Sequence, residues 1–117
     1  AVLERPELAE LFAPGCLAEV PVTAQIGGRR LHGVIDRLII RADSVLAVDF
    51  KSNAVVPGNA ENCPDGLLRQ MGAYAAALAQ VYPGRRIDTA ILWTREPRLM
   101  PLPDDLVMAA LRATPPP

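Results

Sequence analysis

The 117-residue sequence has little of what several common kinds of site require. Its two cysteines, Cys16 and Cys63, are too few for a disulfide framework or for a four-cysteine zinc or iron–sulfur site. It contains no apolar run close to the roughly 20 residues that span a bilayer, and no signal-peptide pattern opens it. Its formal net charge of −1 provides no overall positive field, so any nucleic-acid site has to be a local feature. These absences predict a cytoplasmic protein that has neither a membrane partner nor an iron–sulfur cluster.

The sequence also has no G-x-x-x-x-G-K-[ST] loop for nucleotide phosphates, which excludes an ATP-driven motor of that type from this chain. Lysine is scarce as well, because Lys51 is the only lysine among 12 basic residues. A lysine ammonium is a compact charge that approaches a nucleophile or a phosphoryl oxygen differently from the planar fork of arginine. Lys51 is therefore a candidate for chemistry, although a single lysine alone carries little weight.

Half of the residues are hydrophobic, which suffices for a packed core, and the length suits one domain of ordinary size. The sequence begins without a methionine and ends in three prolines. We therefore expect residues 1–117 to form a single domain that is a piece of a larger protein, with residues 115–117 as a disordered tail.

Hydrophobic periodicity and turn residues predict the order helix, three strands, helix, strand and helix. Asp65 is expected to cap the longest helix, which the Pro83-Gly84 pair ends. Three strands in a meander, followed by a helix and a further strand, predict an α/β fold in which a mixed β-sheet is flanked by helices. The predicted helices cover residues 4–12, 65–82 and 104–111, and the predicted strands cover residues 17–26, 31–41, 45–51, 87–94 and, as a short edge strand, 99–102.

Three charged residues fall on one face of the hairpin between the second and third predicted strands. If residues 42–43 form the turn, paired residues have numbers that sum to 85, and Asp36 faces Asp49. If residues 43–44 form the turn, Asp36 faces Lys51 instead. Either two-residue turn leaves Asp36, Asp49 and Lys51 on one side of the sheet, whereas a three-residue loop separates them.

Strict alternation also assigns the neighbours of Asp36 to faces of the sheet. Val34, Leu38 and Ile40 are expected on the same face as Asp36. Arg37 is expected on the opposite face, paired with a carboxylate.

The predicted approach of Asp36 and Asp49 needs a compensating positive charge. Two ionised carboxylates about 5 Å apart repel by roughly 3 kcal/mol at an effective dielectric constant near 20. Apolar neighbours on the same face increase this cost, because burial penalises the charged form of a carboxyl group. Either Lys51 simply neutralises the pair, or a divalent cation binds there through oxygen ligands. The spacing of the residues leaves both interpretations open.

The helix predicted over residues 65–82 carries an amide and a phenol on one side. Gln70 and Tyr74 are one turn apart, so their side chains project next to each other. Tyr74 also belongs to an apolar stripe of the helix, and Gln70 lies at its edge. Taken alone, this pattern is more typical of a core aromatic residue beside a solvated glutamine.

Three segments, taken in order, resemble a known series of motifs. They are Gly-Val-Ile-Asp-Arg at residues 33–37, Asp-Phe-Lys at residues 49–51 and Gln-Met-Gly-Ala-Tyr at residues 70–74. The series is similar to the motifs of the RecB-like branch of the PD-(D/E)XK nuclease superfamily, and most similar to the C-terminal nuclease domain of AddA-type helicase–nuclease subunits. The resemblance covers residues 17–94 and implies a restriction-endonuclease-like fold.

The resemblance implies hydrolysis of DNA phosphodiester bonds with Mg²⁺, for which Mn²⁺ is a plausible substitute. By that resemblance, Asp36 and Asp49 bind the metal together with the backbone carbonyl of Phe50. Lys51 then orients or activates the attacking water and stabilises charge on the phosphate.

Further residues and partners are implied by the same resemblance. Gln70 and Tyr74 belong to the helix that supports the site and contacts DNA, and Glu19 matches an upstream acidic position that helps to position metal or water. The implied substrate is single-stranded DNA, delivered by the helicase part of the parent chain during double-strand-break repair. A second subunit is expected to complete the assembly.

One feature of the family is missing from the expected place. Members usually carry a metal-binding histidine on a helix before the first strand, but the only histidine here is His32, in the second strand. It lies about 13 Å along an extended strand from Asp36, so we predict a structural or solvent-facing role. The missing histidine motivates a second hypothesis, a non-catalytic DNA-binding or scaffolding module with a nuclease fold. A free-standing small endonuclease, such as a junction resolvase, is a third.

Overall fold

A computed structural model describes residues 6–53 and 55–113 of the chain. Within these ranges, no helix combines the length and the apolarity that a membrane crossing requires. The elements in chain order are α1 (Pro6–Ala9), a 3₁₀ turn (Glu10–Phe12), β1 (Leu17–Ile26), β2 (Arg29–Ile40), β3 (Ser44–Lys51), a second 3₁₀ turn (Ala60–Asn62), α2 (Asp65–Val81), β4 (Arg86–Trp93), β5 (Arg98–Leu102) and α3 (Asp104–Arg112).

The five strands form one mixed sheet in the order β1-β2-β3-β4-β5. Strands β1, β2 and β3 pair antiparallel, β3 and β4 pair parallel, and β5 pairs antiparallel with β4. Helix α2 connects the two parallel strands, as parallel pairing requires. The predicted α/β fold, with a mixed sheet flanked by helices, is therefore confirmed.

Both faces of the sheet are covered. Helix α2 packs on one face and buries Met71, Tyr74 and Leu78 against the strands. The N-terminal segment, residues 6–12, covers the other face with the buried side chains of Leu8 and Leu11. Strands buried on both faces need apolar residues at consecutive positions, which is why β3 and the end of β4 are almost continuously hydrophobic.

The turn between β2 and β3 fixes their register. Arg41 N–H donates to the Ser44 carbonyl over 2.8 Å, so residues 42–43 form the two-residue turn. The pairs run from Ile40 with Val45 to Arg37 with Val48. This is the first of the two turns considered from the sequence, in which paired residue numbers sum to 85.

Several predicted boundaries differ from the structure. The helix predicted over residues 4–12 is α1 followed by a 3₁₀ turn, and residues 4–5 lie outside the described ranges, as does the predicted tail at 115–117. Strand β2 begins at Arg29, because the tight turn at Gly27-Gly28 lets it pair with β1 immediately. Asp65 is the first helical residue of α2, and Pro64 occupies the capping position. A carboxylate in the first turn still favours the helix, because it lies near the positive end of the helix dipole.

Helices α2 and α3 approach each other closely at Gly72. A Cβ atom at this position would collide with the backbone carbonyl of Val107 and lie 3.1 Å from Cβ of Leu111. We predict that Gly72→Ala lowers the free energy of unfolding by about 1–3 kcal/mol, because the helices must separate to admit the methyl group. Chemical denaturation measures this change.

Gly66→Ala is the matched control in the same helix. A Cβ at Gly66 meets nothing within 4 Å. The control is therefore expected to raise the free energy of unfolding by up to about 1 kcal/mol, through the better helix propensity of alanine. Equal effects of the two substitutions would contradict the proposed role of Gly72.

Candidate active site

Strands β2 and β3 separate at Asp36. Backbone pairing ends with Arg37 and Val48. Asp36, which precedes Arg37 on β2, bonds to β3 through its side chain instead. The Asp36 carboxylate accepts a hydrogen bond from the Phe50 backbone N–H, with 2.7 Å between Oδ2 and N. A side chain therefore replaces a backbone partner at the point of separation. This bond fixes the Asp36 carboxylate beside β3.

The alternation of side chains along β2 is interrupted at Asp36. Ile35 and Leu38 are both buried in the core beneath α2, although residues three apart lie on opposite faces of a regular strand. Glu19 on β1 has a φ of 52°, a left-handed conformation that is uncommon outside glycine, and the pairing of β1 with β2 passes from Ala18–Arg37 to Val20–Ile35 without it. The expectation of one shared face from Val34 to Ile40 is thus wrong, because the local backbone breaks the alternation at Asp36.

Asp49 and Lys51 follow on β3 and meet in an ion pair. Lys51 Nζ lies 2.9 Å from Asp49 Oδ2, and 34% of the lysine side chain is exposed. Asp49 itself is only 6% exposed. The ammonium takes up one acceptor position of the carboxylate, which has about four. The ion pair therefore leaves part of its acceptor capacity unused.

The environment of Asp49 disfavours its charged form. Burial raises the pKa of the Asp49 carboxyl above its usual range, the Lys51 ammonium opposes this rise, and the neighbouring Asp36 carboxylate adds to it. Lys51 therefore offsets the negative charge of the two carboxylates only in part. The structure thus brings together Asp36, Asp49 and Lys51, the three side chains that the hairpin analysis placed on one face.

Helix α2 reaches this site through Tyr74 and Gln70. Tyr74 is 3% exposed, and its hydroxyl donates to the backbone carbonyl of Val34 over 3.3 Å. The exposed Gln70 donates in turn from Nε2 to the Tyr74 hydroxyl over 3.2 Å. Burial, followed by the Asp49 carboxylate, raises the pKa of the Tyr74 hydroxyl, which therefore remains a donor. Tyr74 is both a core residue and a support for β2 next to Asp36.

Gly33 makes room for the tyrosine ring. A Cβ at this position would lie 2.7 Å from Tyr74 Cε1 and 2.8 Å from its hydroxyl oxygen. The close approach of the Tyr74 ring therefore requires a glycine at position 33, the first residue of the Gly-Val-Ile-Asp-Arg segment.

The end of β3 is held by residues that the sequence analysis did not assign to the site. The backbone N–H of Thr94 and its hydroxyl both donate to the Lys51 carbonyl, over 2.8 and 3.2 Å. Trp93, fully buried, pairs with Lys51 in the parallel register. Arg98 donates to the Pro57 carbonyl and so anchors the loop that follows β3. Only tertiary contacts reveal these roles, since neither threonine nor arginine stands in a distinctive pattern here.

Two acidic or basic candidates lie apart from this cluster. Glu19 is exposed on β1, and its two chain neighbours pair with Arg37 and Ile35 on β2. His32 is exposed, and its Nδ1 lies 3.4 Å from the Thr23 hydroxyl on the neighbouring strand. The structure therefore places His32 on the surface and away from the carboxylates.

Arg37 corrects one expectation from the sequence. Its guanidinium has no carboxylate partner among the described residues. It donates from Nε to the Leu11 carbonyl over 3.0 Å and from Nη1 to the Asp36 carbonyl over 2.9 Å. Backbone carbonyls replace the expected carboxylate because the N-terminal segment, whose position the strand pattern does not reveal, lies directly against β2.

The potential metal ligands at the site are oxygen atoms, which suit a hard divalent cation. The Asp36 and Asp49 carboxylates are oxygen ligands, and the contacts with the Phe50 N–H and the Lys51 ammonium leave acceptor positions on both of them. Within the described ranges, no group of three or more histidine, cysteine, aspartate or glutamate side chains converges. Mg²⁺ is commonly bound by only one or two carboxylates, with water and phosphate oxygens filling the remaining positions. The pair of carboxylates therefore suits Mg²⁺ or Mn²⁺ with an incomplete protein shell.

Comparisons with known proteins give one family match and structural matches of low sequence identity. A family model described as the PD-(D/E)XK nuclease superfamily matches residues 2–106. A solved structure of a proposed exonuclease from Eubacterium rectale matches with a TM-score of 0.66 and 15% identity, over 95% of this chain and 45% of that chain. The protein SSO0001 matches with a TM-score of 0.53 and 11% identity, over 91% of this chain and 60% of that chain. No curated protein matches the sequence. The chain thus spans less than two thirds of either solved relative.

The hydroxyl of Tyr74 is expected to contribute measurably to stability. We predict that Tyr74→Phe lowers the free energy of unfolding by about 0.5–1.5 kcal/mol, because the Val34 carbonyl and the Gln70 amide lose their partner. Tyr82→Phe, at the end of the same helix, is the control, because the half-buried Tyr82 ring instead stacks with Arg85. Chemical denaturation of both variants checks this, and a Tyr74→Phe variant as stable as the control would contradict it.

Proposed function

Because the chain belongs to the PD-(D/E)XK nuclease superfamily, we propose that it hydrolyses phosphodiester bonds of DNA with a divalent cation bound at Asp36 and Asp49. Superfamily membership and the structural matches confirm the restriction-endonuclease-like fold expected from the motifs. The observation that carries the proposal is the convergence of two carboxylates and one ammonium where β2 leaves β3.

The proposed metal ligands are the Asp36 and Asp49 carboxylates and the Phe50 carbonyl. A bound Mg²⁺, or Mn²⁺ in its place, would lower the pKa of a water molecule and offset the charge that builds on the phosphate. Asp36 contributes a carboxylate whose orientation is fixed by the Phe50 N–H. Asp49 contributes a buried carboxylate whose Oδ2 contacts the Lys51 ammonium.

Lys51 is the proposed catalytic cation of the protein. Its ammonium lies against Asp49, yet a third of the side chain reaches solvent. From this position it can donate to a phosphate oxygen or orient the attacking water, and a donor aimed at developing negative charge stabilises the transition state. The bonds from Thr94 to the Lys51 backbone hold the lysine in place.

Gln70, Tyr74 and Glu19 take supporting roles in this proposal. Tyr74 braces β2 beside Asp36, and the exposed Gln70 amide is available to DNA on the same face. Glu19 lies on β1 between the residues that pair with Arg37 and Ile35, and its exposed carboxylate can help to position water or metal.

The finer assignment is to a RecB-like, AddA-type helicase–nuclease that acts in double-strand-break repair. It rests on the series of motifs at residues 33–37, 49–51 and 70–74. In this proposal the chain is the cytoplasmic nuclease domain, its substrate is single-stranded DNA, and the parent helicase chain and a second subunit are its partners.

One observation favours a second candidate, a non-catalytic DNA-binding or scaffolding module. Only two carboxylates meet at the site, because no larger group of potential metal ligands converges among the described residues. A module of this kind gives no Mg²⁺- or Mn²⁺-dependent heat in calorimetry, even in a full-length protein. The nuclease predicts a binding signal that Asp49→Asn removes.

Activity measurements separate these candidates. We predict that Asp49→Asn and Lys51→Met each reduce Mg²⁺-dependent cleavage of single-stranded DNA by at least about 100-fold in the full-length protein, because the first weakens a ligand of the proposed metal and the second removes the cation that faces the phosphate. Cleavage of an end-labelled oligonucleotide, with and without chelator, gives the rates.

Asp88→Asn is the matched control for the acidic substitution. Asp88 lies near the opposite end of the sheet, on β4, and pairs with Arg86. The control is expected to cleave at the wild-type rate. Full activity in Asp49→Asn or in Lys51→Met would end the proposal.

A further inference from the structure

Arg37 lies behind the candidate site, on the face of the sheet that the N-terminal segment covers. Its guanidinium carbon is 5.1 Å from the centre of the Phe50 ring and 5.3 Å from the centre of the Phe12 ring. The two rings are tilted by 36° with their centres 6.0 Å apart. The guanidinium thus contacts one ring from the site strand β3 and one from the N-terminal segment.

The same guanidinium is bonded to the residue that β2 contributes to the site. Arg37 Nη1 donates to the Asp36 carbonyl over 2.9 Å, while Asp36 Oδ2 accepts the Phe50 N–H over 2.7 Å. Asp36 and Phe50 are therefore joined twice, directly by their own hydrogen bond and indirectly through Arg37. The two links lie at the point where backbone pairing between β2 and β3 has ended.

The N-terminal segment, residues 6–12, holds the Arg37 guanidinium in place. Arg37 Nε donates to the Leu11 carbonyl over 3.0 Å, and the side chains of Leu8 and Leu11 are fully buried against the sheet. The Phe12 ring also contacts the Arg37 guanidinium, although 43% of Phe12 is exposed. Because the segment is anchored in the core, Arg37 cannot shift without disturbing several packed groups.

We propose that Arg37 is a positioning residue, which sets the Asp36 carboxylate and the Phe50 carbonyl in the arrangement that binds the metal. This inference rests on the proposed function and extends it to a side chain that touches neither metal nor DNA. Arginine suits the role because its planar fork can stack on rings and donate two hydrogen bonds at once. A lysine at this position would keep the positive charge but would lack the planar guanidinium that stacks on the rings and donates two hydrogen bonds.

The test compares Arg37→Lys with Arg41→Lys in the full-length protein. Both arginines hold the N-terminal segment, Arg37 through the Leu11 carbonyl and Arg41 through an ion pair of 2.8 Å with Glu10. Only Arg37 also contacts Asp36 and Phe50. Comparing the two variants therefore distinguishes an effect on the position of Asp36 and Phe50 from an effect on the anchoring of the N-terminal segment.

Three readouts are expected to change in Arg37→Lys and to stay at the wild-type level in Arg41→Lys. Calorimetric affinity for Mn²⁺ falls by about 10-fold or more, as is typical when a residue behind a metal ligand is changed. The kcat for DNA cleavage falls while KM for DNA is unchanged, because the residue does not touch the substrate. In metal-free protein, hydrogen exchange at the Phe50 amide becomes faster relative to the Ile91 amide in the centre of the sheet.

Two results would overturn the inference. A folded Arg37→Lys variant with wild-type metal affinity, kcat and Phe50 exchange shows that Arg37 does not set the site. Equal losses in both variants show that the arginines act only by holding the N-terminal segment.

Failure of the proposed function gives a different result. If wild-type protein neither binds Mn²⁺ nor cleaves DNA, the nuclease proposal fails, and the Phe50 exchange rate alone decides whether Arg37 aligns Asp36 with Phe50. If Arg37→Lys does not fold, Phe12→Leu replaces it, since this variant removes one ring and leaves the hydrogen bonds of Arg37 in place. A smaller change in the same readouts supports the inference, and no change overturns it.

Discussion

One hydrogen bond between a side chain and the main chain determines the architecture of the candidate site. The Asp36 carboxylate accepts the Phe50 N–H where β2 leaves β3. The bond fixes the position of the Asp36 carboxylate beside β3. It holds this carboxylate close to Asp49, which is buried and whose ionised form is disfavoured. Negative charge is thus concentrated where the sheet itself offers little compensation, and Lys51 offsets only part of it.

The rest of the fold supports this arrangement from both sides of the sheet. On one side, α2 places the Tyr74 hydroxyl against the Val34 carbonyl, directly beside Asp36 on β2. On the other side, Arg37 connects the N-terminal segment to Asp36 and Phe50. Close packing on both faces restricts side-chain movement, and a fixed geometry is what a cation with demanding coordination needs.

The sequence predicts the elements well and the site geometry only in part. The five strands and α2 were predictable because their hydrophobic periodicity is strong, whereas the sequence left two hairpin registers open, of which the structure has the one with the turn at residues 42–43. The interrupted alternation at Asp36 was not predictable, because it accompanies a left-handed backbone at Glu19 and a side-chain bond to Phe50 that no sequence pattern reveals. The partners of Arg37 were missed for the same reason, since they come from a segment distant in sequence.

The most direct measurement of the central claim is anomalous diffraction from crystals of the protein soaked in Mn²⁺. The account predicts one strong anomalous peak bounded by the carboxylates of Asp36 and Asp49 and by the Phe50 carbonyl, at oxygen distances of about 2.0–2.3 Å typical of small divalent cations. A fully soaked crystal with no peak there, or with Mn²⁺ bound only elsewhere, would contradict the account.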